Sequence, residues 1–342
     1  MNIKVQVEEI RNLMTEALVL RGITGEEAAF IIEDYIEAEI EGHGTHGLSK
    51  FLVIDAGIAQ RKGQMQVTKQ EGCYAGIDGN RELGHVVALH AADLTIKLAK
   101  EHGVGLTVFH NVSRYSRITP YARRIAEAGL IGMLANNGGP MCVAPFGGKE
   151  PILGTNPICF SFPSTGTNPY IFDFSTAQKV WGEIRQAIIQ KRQVVPNAFL
   201  DKTGAFTRNP EKVVAGIPFG GAKGYALSFA LEVMTGALIG TKMGTKSRDE
   251  YDLGYLFLAF STEMFTDLET FKEEMDELAD SVRNCEPIQP GGQVFVPGEI
   301  FADRKYSDRN CADMELELEI YQRLKRMSNS LDGGLENNKL LN

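Results

Sequence analysis

The stretch Gly42-His43-Gly44-Thr45-His46-Gly47 constrains the fold most, because its neighbours rule out the architecture its letters suggest. It satisfies G-x-G-x-x-G, which cradles a pyrophosphate only where a strand leads into the glycines and a helix opens after them. Residues 24–41 precede it instead. Thr24 and Glu27 stand at capping-box spacing, and Ala28, Ile31, Ile32, Tyr35, Ile36 and Ile40 recur at helical spacing. A helix therefore enters the glycines, which excludes a standard Rossmann nucleotide site here. What remains is a glycine-rich turn carrying two imidazoles. Glycines on both sides thin the bulk around His46, so its ring can reach a substrate and donate a proton near neutral pH. His43 and His46 have no third ligand at a recognisable spacing, and no metal is expected.

Along the chain, Ile10, Leu13, Met14 and Leu18 repeat at helical spacing over residues 6–20, giving an N-terminal helical pair with the capped segment. A helix is expected from about 84 to 101, ending at His102-Gly103, followed by a buried strand from Val104 to Phe109. Thr119-Pro120 offers an N-cap and a first-turn proline for a helix to about Ala128, and Leu130 to Ala135 reads as a strand. The Gly- and Pro-rich segment NNGGPMCVAPFGGKEPILGTNPICFSFPSTGTNP predicts loops between short strands, where binding sites are usually built. YIFDFSTA reads as a strand ending at polar residues. From Gly220 to Gly240, a glycine turn enters a nearly all-apolar helix that must be buried on most sides or packed on a second subunit. Phe265, Leu268, Phe271, Met275, Leu278 and Val282 form an apolar stripe expected in the core.

With 342 residues, 43% hydrophobic and 23% charged, the chain can bury two or three domain-sized cores. A net charge of −9 argues against nucleic acid and anionic membranes, leaving small molecules as the expected partners. Cys73, Cys142, Cys159, Cys285 and Cys311 are widely separated and form no C-x-x-C, so buried free thiols are expected. The N-terminal stretch lacks a signal peptide's apolar core, and no apolar run approaches eighteen residues, so a cytoplasmic location is expected.

Asp173 stands among Ile171, Phe172 and Phe174, where a partly buried carboxylate needs a partner. A histidine would serve, and a bond to its own loop amides is equally open. GTNP at 154–157 and GGAKG at 220–224 are loops that let backbone N–H groups approach an anion, with Lys223 as a point charge. Arg114, Arg117, Arg123 and Arg124 cluster around one loop and helix start. A solvated basic face is their default reading, although Arg114 could clamp a carboxylate bidentately.

Taken in order, GTHGLSKF, VFHNVS with PYARRIAEAGLIGMLANN, APFGG, LGTNPICFSFP, FDFSTA, PFGGAKGYALSFALEVMTGALIG and VPGEIF resemble the type 2 malate/L-lactate dehydrogenases over nearly the whole chain. The resemblance implies an α/β, non-Rossmann mixed-sheet fold like that of L-sulfolactate dehydrogenase, with an N-terminal helical region and an inserted cofactor domain. The expected division is 1–72 for the helical region with the catalytic turn, 73–130 plus 290–326 for an α/β substrate and dimer domain, 131–289 for the NAD(P)-binding domain, and 327–342 for a disordered tail. It further implies a homodimer that uses NADH or NADPH to reduce a 2-oxo or 2-imino acid, a small anionic substrate.

By the same resemblance His46 is the general acid and Asp173 its partner, with Thr45 in place of the usual serine. Lys50 stands where an arginine commonly helps hold the substrate carboxylate, and Thr155 hydrogen-bonds near the reacting centre. Cofactor contacts are expected from Asn137, Asp173, Phe174, Ser175, Lys223, Gly224, Gly298 and Glu299. One departure is large. The family's loop usually reads Asn-x-x-His, then an aromatic residue and Gly, whereas this chain has Asn111-Val112-Ser113-Arg114-Tyr115-Ser116. Arginine cannot act as a neutral base near pH 7, but it binds a carboxylate or sulfonate. Either the substrate carries an anionic group read by Arg114, or the chain is a cofactor-binding homologue that has lost the redox reaction or serves a regulatory role.

Overall fold

The computed structural model describes residues 2–44, 46–138, 141–299 and 312–331. Among them, the first core is built from the two ends of that range. Strand β1 (Asn2–Gln6) pairs antiparallel with β11 (Asp313–Glu317), setting Val5 opposite Met314 and Ile3 opposite Leu316. Helix α1 (Val7–Leu20) follows directly, and α2 (Gly25–Ile40) packs on it. The expected helical pair is present, preceded by a strand that local periodicity misses because its partner lies some 300 residues away. Thr24 occupies the N-cap of α2, but its hydroxyl makes no capping bond, so the expected capping box is not formed. The last helix, α10 (Leu318–Asn329), packs on α1 and buries Met327 fully. Residues 327–329 of the expected tail therefore belong to α10, and residues 332–342 lie outside the described residues.

Two short helices, α3 (Leu48–Phe51) and α4 (Ile54–Ile58), lead from the glycine turn into the second core. This is a seven-stranded mixed sheet among the described residues, in the order β2-β3-β4-β10-β5-β6-β7. Its strands are β2 (Gln66–Glu71), β3 (Tyr74–Glu82), β4 (Val104–Val112), β5 (Leu130–Asn136), β6 (Pro157–Phe162), β7 (Tyr170–Ser175) and β10 (Gly254–Ser261). Only β3 and β4 run parallel, joined by the crossover helix α5 (Gly84–His102). Gly84 lets that helix start against the segment after β4, since a Cβ there would lie 2.0 Å from the Ser113 carbonyl oxygen. Phe109 stacks on Tyr255 at 4.7 Å and meets Phe257 edge-on at 5.0 Å, and helix α6 (Thr119–Glu127) covers them with the fully buried Tyr121. One sheet thus joins strands from 1–72, 73–130 and 131–289. The insertion of β10 between β4 and β5 is a pairing that sequence order conceals.

Helix α7 (Trp181–Ile189), a small ladder of β8 (Phe199–Leu200) with β9 (Ala215–Gly216), and helix α8 (Ala222–Thr235) flank the sheet's far end. Helix α8 buries Ser228, Leu231, Glu232 and Thr235 but leaves Phe229 and Val233 exposed. Helix α9 (Leu268–Arg283) corrects an expectation: Phe265 and Leu278 are exposed, and Ala279 is the buried residue of that helix. Among the described residues, no helix is long and apolar enough to cross a membrane.

Candidate active site

The glycine turn is held from the helix that precedes it. Glu39, on the last turn of α2, accepts the Leu48 N–H at 2.8 Å. Gly47 is required there, because a Cβ would lie 2.1 Å from the Glu39 carboxylate and 3.1 Å from its Cα. His43 N–H bonds back to Ala38 and His46 N–H to His43, so a tight turn presents His46. Thr45 lies outside the described residues. His46 faces an open cleft of about 2230 Å³ that runs between the first core and the far end of the sheet. Burial, with His43, Arg117 and Lys50 nearby, lowers its imidazole to about 4, against the upward pull of a backbone bond at Ser116. His46 is therefore neutral at pH 7.

Lys50, Arg114, Thr155, Asp173, Phe174, Ser175, Gly298 and Glu299 line the same cleft. These residues come from α3, the segment after β4, the loop before β6, the end of β7 and the segment after α9. Asp173 projects from β7 into the cleft and accepts the Thr119 hydroxyl at 2.6 Å on Oδ2. Its surroundings push the carboxyl upward, while that bond and Arg117 pull it down. Among the described residues Asp173 and His46 share the cleft without a hydrogen bond between them; the partner Asp173 holds is Thr119, a residue read from sequence only as a helix cap.

Lys50 is pulled below the usual lysine value by burial and by Arg114, with Arg185 of α7 acting the same way and Glu250 opposing. Sequence reasoning missed Arg185, since nothing marks one arginine in an amphipathic helix. The backbone N–H of Arg114 points at Glu250 at 3.5 Å, and its Nε is buried without a hydrogen-bond partner among the described residues. The other three arginines correct the reading of a solvated basic face. Arg117 is 8% exposed and binds Asp34, Glu37 and Glu41; Arg123 pairs with Glu37, and Arg124 with Asp93 and Glu26.

The expected cofactor residues divide. Gly298 closes on Ile171, with φ +91 and a would-be Cβ 2.3 Å from that carbonyl oxygen. Glu299 lines the cleft with its carboxylate held by Arg283 and the Val296 N–H. Ser175 Oγ donates to Thr155 and accepts from Ala177 N–H. Asn137 is instead 2% exposed, accepting from Gly254 N–H at 2.8 Å, and lines a separate cavity of about 100 Å³ that Arg114 also borders. Lys223 and Gly224 open α8 and do not line the main cleft. Trp181, the chain's single tryptophan, does line it, together with Val180 and Ile188.

Cys142 and Cys159 are buried free thiols, Cys73 is partly buried and Cys285 exposed, and Cys311 lies outside the described residues. Burial raises the Cys142 thiol to about 11, which keeps it protonated and unreactive. Among the described residues, no group of three His, Cys, Asp or Glu gathers at metal-binding distance.

A family model described as malate/L-lactate dehydrogenase matches residues 5–325. L-sulfolactate dehydrogenase of Methanocaldococcus jannaschii is 34% identical, with 96% of this chain and 97% of that protein covered. The NAD(+) ureidoglycolate dehydrogenase of Escherichia coli K12 is 28% identical, covering 94% and 95%. The solved structure of the M. jannaschii sulfolactate dehydrogenase superposes with a TM-score of 0.86 at 32% identity, covering 96% and 97%. Malate dehydrogenase from Entamoeba histolytica superposes with a TM-score of 0.88 at 25% identity, covering 96% and 98%. The mixed sheet, the rejected Rossmann site and these matches agree, and the chain belongs to the malate/L-lactate dehydrogenase family.

Proposed function

We propose that this chain is a cytoplasmic, homodimeric reductase that uses NADH or NADPH to reduce a 2-oxo or 2-imino acid, and in reverse oxidises a 2-hydroxy acid. The observation that carries the reading is the convergence of His46 and Lys50, Arg114, and Asp173 on one cleft from three distant segments. The family relationship supports oxidoreduction, and the residues supply its requirements. The cleft is roomy enough for a dinucleotide beside a small substrate, and Phe174 and Trp181 offer exposed ring faces. Phe174, Ser175, Gly298 and Glu299 would hold the dinucleotide, with Gly298 allowing close backbone approach. When bound, it supplies hydride to the carbon next to the carboxylate.

Lys50 and Arg114 bind the anionic end of the substrate, and Thr155 hydrogen-bonds near the reacting carbon. Lys50 and Arg117 help hold His46 neutral. An anion settling on Lys50 and Arg114 cancels part of that field and moves the imidazole upward, so substrate binding loads the acid with its proton. Asp173 stabilises the resulting imidazolium. In the oxidative direction neutral His46 accepts the alcohol proton. The exposed Phe229 and Val233 on α8 fit a second copy of the chain.

The test combines turnover with cofactor binding read from Trp181 fluorescence. His46→Ala should lower turnover about 10²- to 10⁴-fold on a panel of 2-oxo acids and cyclic imines, with NADH or NADPH affinity nearly unchanged. Near-normal turnover of the variant refutes the role of His46. Binding by the unaltered chain without turnover on any substrate favours a homologue without redox activity.

A further inference from the structure

Residues 114–119 run from the segment after β4 into the first residue of α6, and their side chains diverge. Tyr115 and Ile118 point into the second core, where the Tyr115 hydroxyl donates to Asn136 Oδ1 at 2.9 Å. Arg117 turns to the acids of the first core. Ser116 and Thr119 do something else. The Ser116 hydroxyl donates to the His46 carbonyl oxygen at 2.7 Å, while its N–H donates to His85 Nε2 at 3.1 Å. The Thr119 hydroxyl donates to Asp173 Oδ2 at 2.6 Å. One six-residue segment thus touches both members of the expected proton-transfer pair.

We propose that this segment is a clasp, in which Ser116 and Thr119 are positioning residues that set His46 and Asp173 against each other across the cleft. The inference rests on the reading of His46 and Asp173 as the acid and its partner, and it gives Ser116 and Thr119, which line the same cleft, the role of holding that pair. The anchors make the clasp stiff: Tyr115, Ser116, Arg117 and Ile118 are all buried. The same segment carries Arg114 into the cleft, so one rigid unit sets both the pair and the substrate cation.

Thr119 does more than hold a position, because a donor to a carboxylate favours its charged form. The other groups acting on Asp173 are Arg117 and Tyr115 of the clasp, Glu41 beyond α2, and Cys159, its cross-strand neighbour on β6. Without Thr119 the carboxyl protonates at higher pH. Thr119→Val should move the acid limb of the kcat/KM profile up by about one pH unit, and Thr119→Ser should leave it in place. Ser116→Gly should speed amide hydrogen exchange over residues 43–51 about tenfold in the full-length protein, whereas Thr119→Val should not. An unmoved acid limb in Thr119→Val, or unchanged protection in Ser116→Gly, overturns the clasp. Thr119→Ala repeats the test if valine prevents folding. Hydrogen exchange and a carbon NMR titration of the Asp173 carboxyl need no turnover, so a chain that reduces nothing still tests the clasp while separately refuting the reductase reading.

Discussion

Replacing Arg117 with methionine should destabilise the protein in a pH-dependent way. The Arg117 guanidinium binds Asp34 Oδ1 at 2.7 Å, Glu37 at 3.1 Å, the Asp34 carbonyl oxygen at 3.1 Å, and Glu41. Asp34 is 2% exposed, its Oδ2 has no hydrogen-bond partner among the described residues, and His85 Nε2 stands 3.7 Å away. Breaking a buried pair from one side costs about 3–5 kcal/mol, less here because Glu37 keeps Arg123. Burial already raises the Asp34 carboxyl from 3.8 to about 6, against the pull of Arg117. A carboxyl whose folded value lies above its unfolded one stabilises less as pH rises between the two. At pH 7 the ionised form is therefore retained at about two units of penalty. Without Arg117 the carboxyl moves further up, and each unit of that rise adds about 1.4 kcal/mol to the cost of holding Asp34 in the fold at pH 7. At pH 5 the carboxyl is protonated in both proteins. The variant should therefore lose about 1 kcal/mol more at pH 7 than at pH 5, from one extra unit at about 1.4 kcal/mol. Urea titrations followed by Trp181 fluorescence should show a midpoint lower by about 1 M at pH 7, with a smaller shift at pH 5. Asp34→Asn in the Arg117→Met background should remove the pH dependence. Equal shifts at both pH values, or a double variant with the same pH dependence, would refute the reasoning.

Three further outcomes are expected. Arg114→His should shift preference toward less charged 2-oxo acids, mainly through KM; an unchanged ratio of kcat/KM across the panel counts against Arg114 as the anion clamp. Phe229→Glu should convert a dimer to monomer in sedimentation, since it buries a charge in any apolar contact made by α8, and an unchanged sedimentation coefficient removes that face from the interface. Gly298→Ala, at φ +91 and against the Ile171 carbonyl, should weaken nucleotide binding seen through Trp181 by at least about tenfold, and retained affinity would argue that this turn lies away from the dinucleotide.

Much of the fold was legible because its elements carry their own periodicity. Helices α1, α2 and α5 and strands β4, β5 and β7 lie close to where spacing places them. The misses are pairings and surfaces. Strand β1 has only five residues and acquires its identity from β11, and β10 enters the middle of a sheet whose neighbours are drawn from over 100 residues upstream. The stripe on α9 looked like core, yet periodicity records which side of a helix is apolar and not how deeply it is covered. Arg117 looked solvent-facing because its acids lie on α2, some 80 residues earlier. At the cleft, the motifs singled out His46 and Asp173, which both line it, while the bonds that Ser116 and Thr119 make to them were invisible: a hydroxyl at a helix start reads as a cap until the fold shows what it holds.

The pairing of β1 with β11 also carries a consequence for synthesis. Helix α1, which α2 packs on, is covered by α10, and β1 pairs with β11, so both partners emerge only after some 310 residues have left the ribosome. Until then the apolar faces of α1 and α2 lack part of their cover, and local contacts alone must keep them from associating with other chains. The central sheet meets no such delay in β3, α5 and β4, which are contiguous. Folding should therefore run from the middle outward, with the His46 turn among the last parts to become rigid, so that a ribosome-bound chain stopped before residue 312 would hold a formed parallel β-α-β unit and an unfinished cleft.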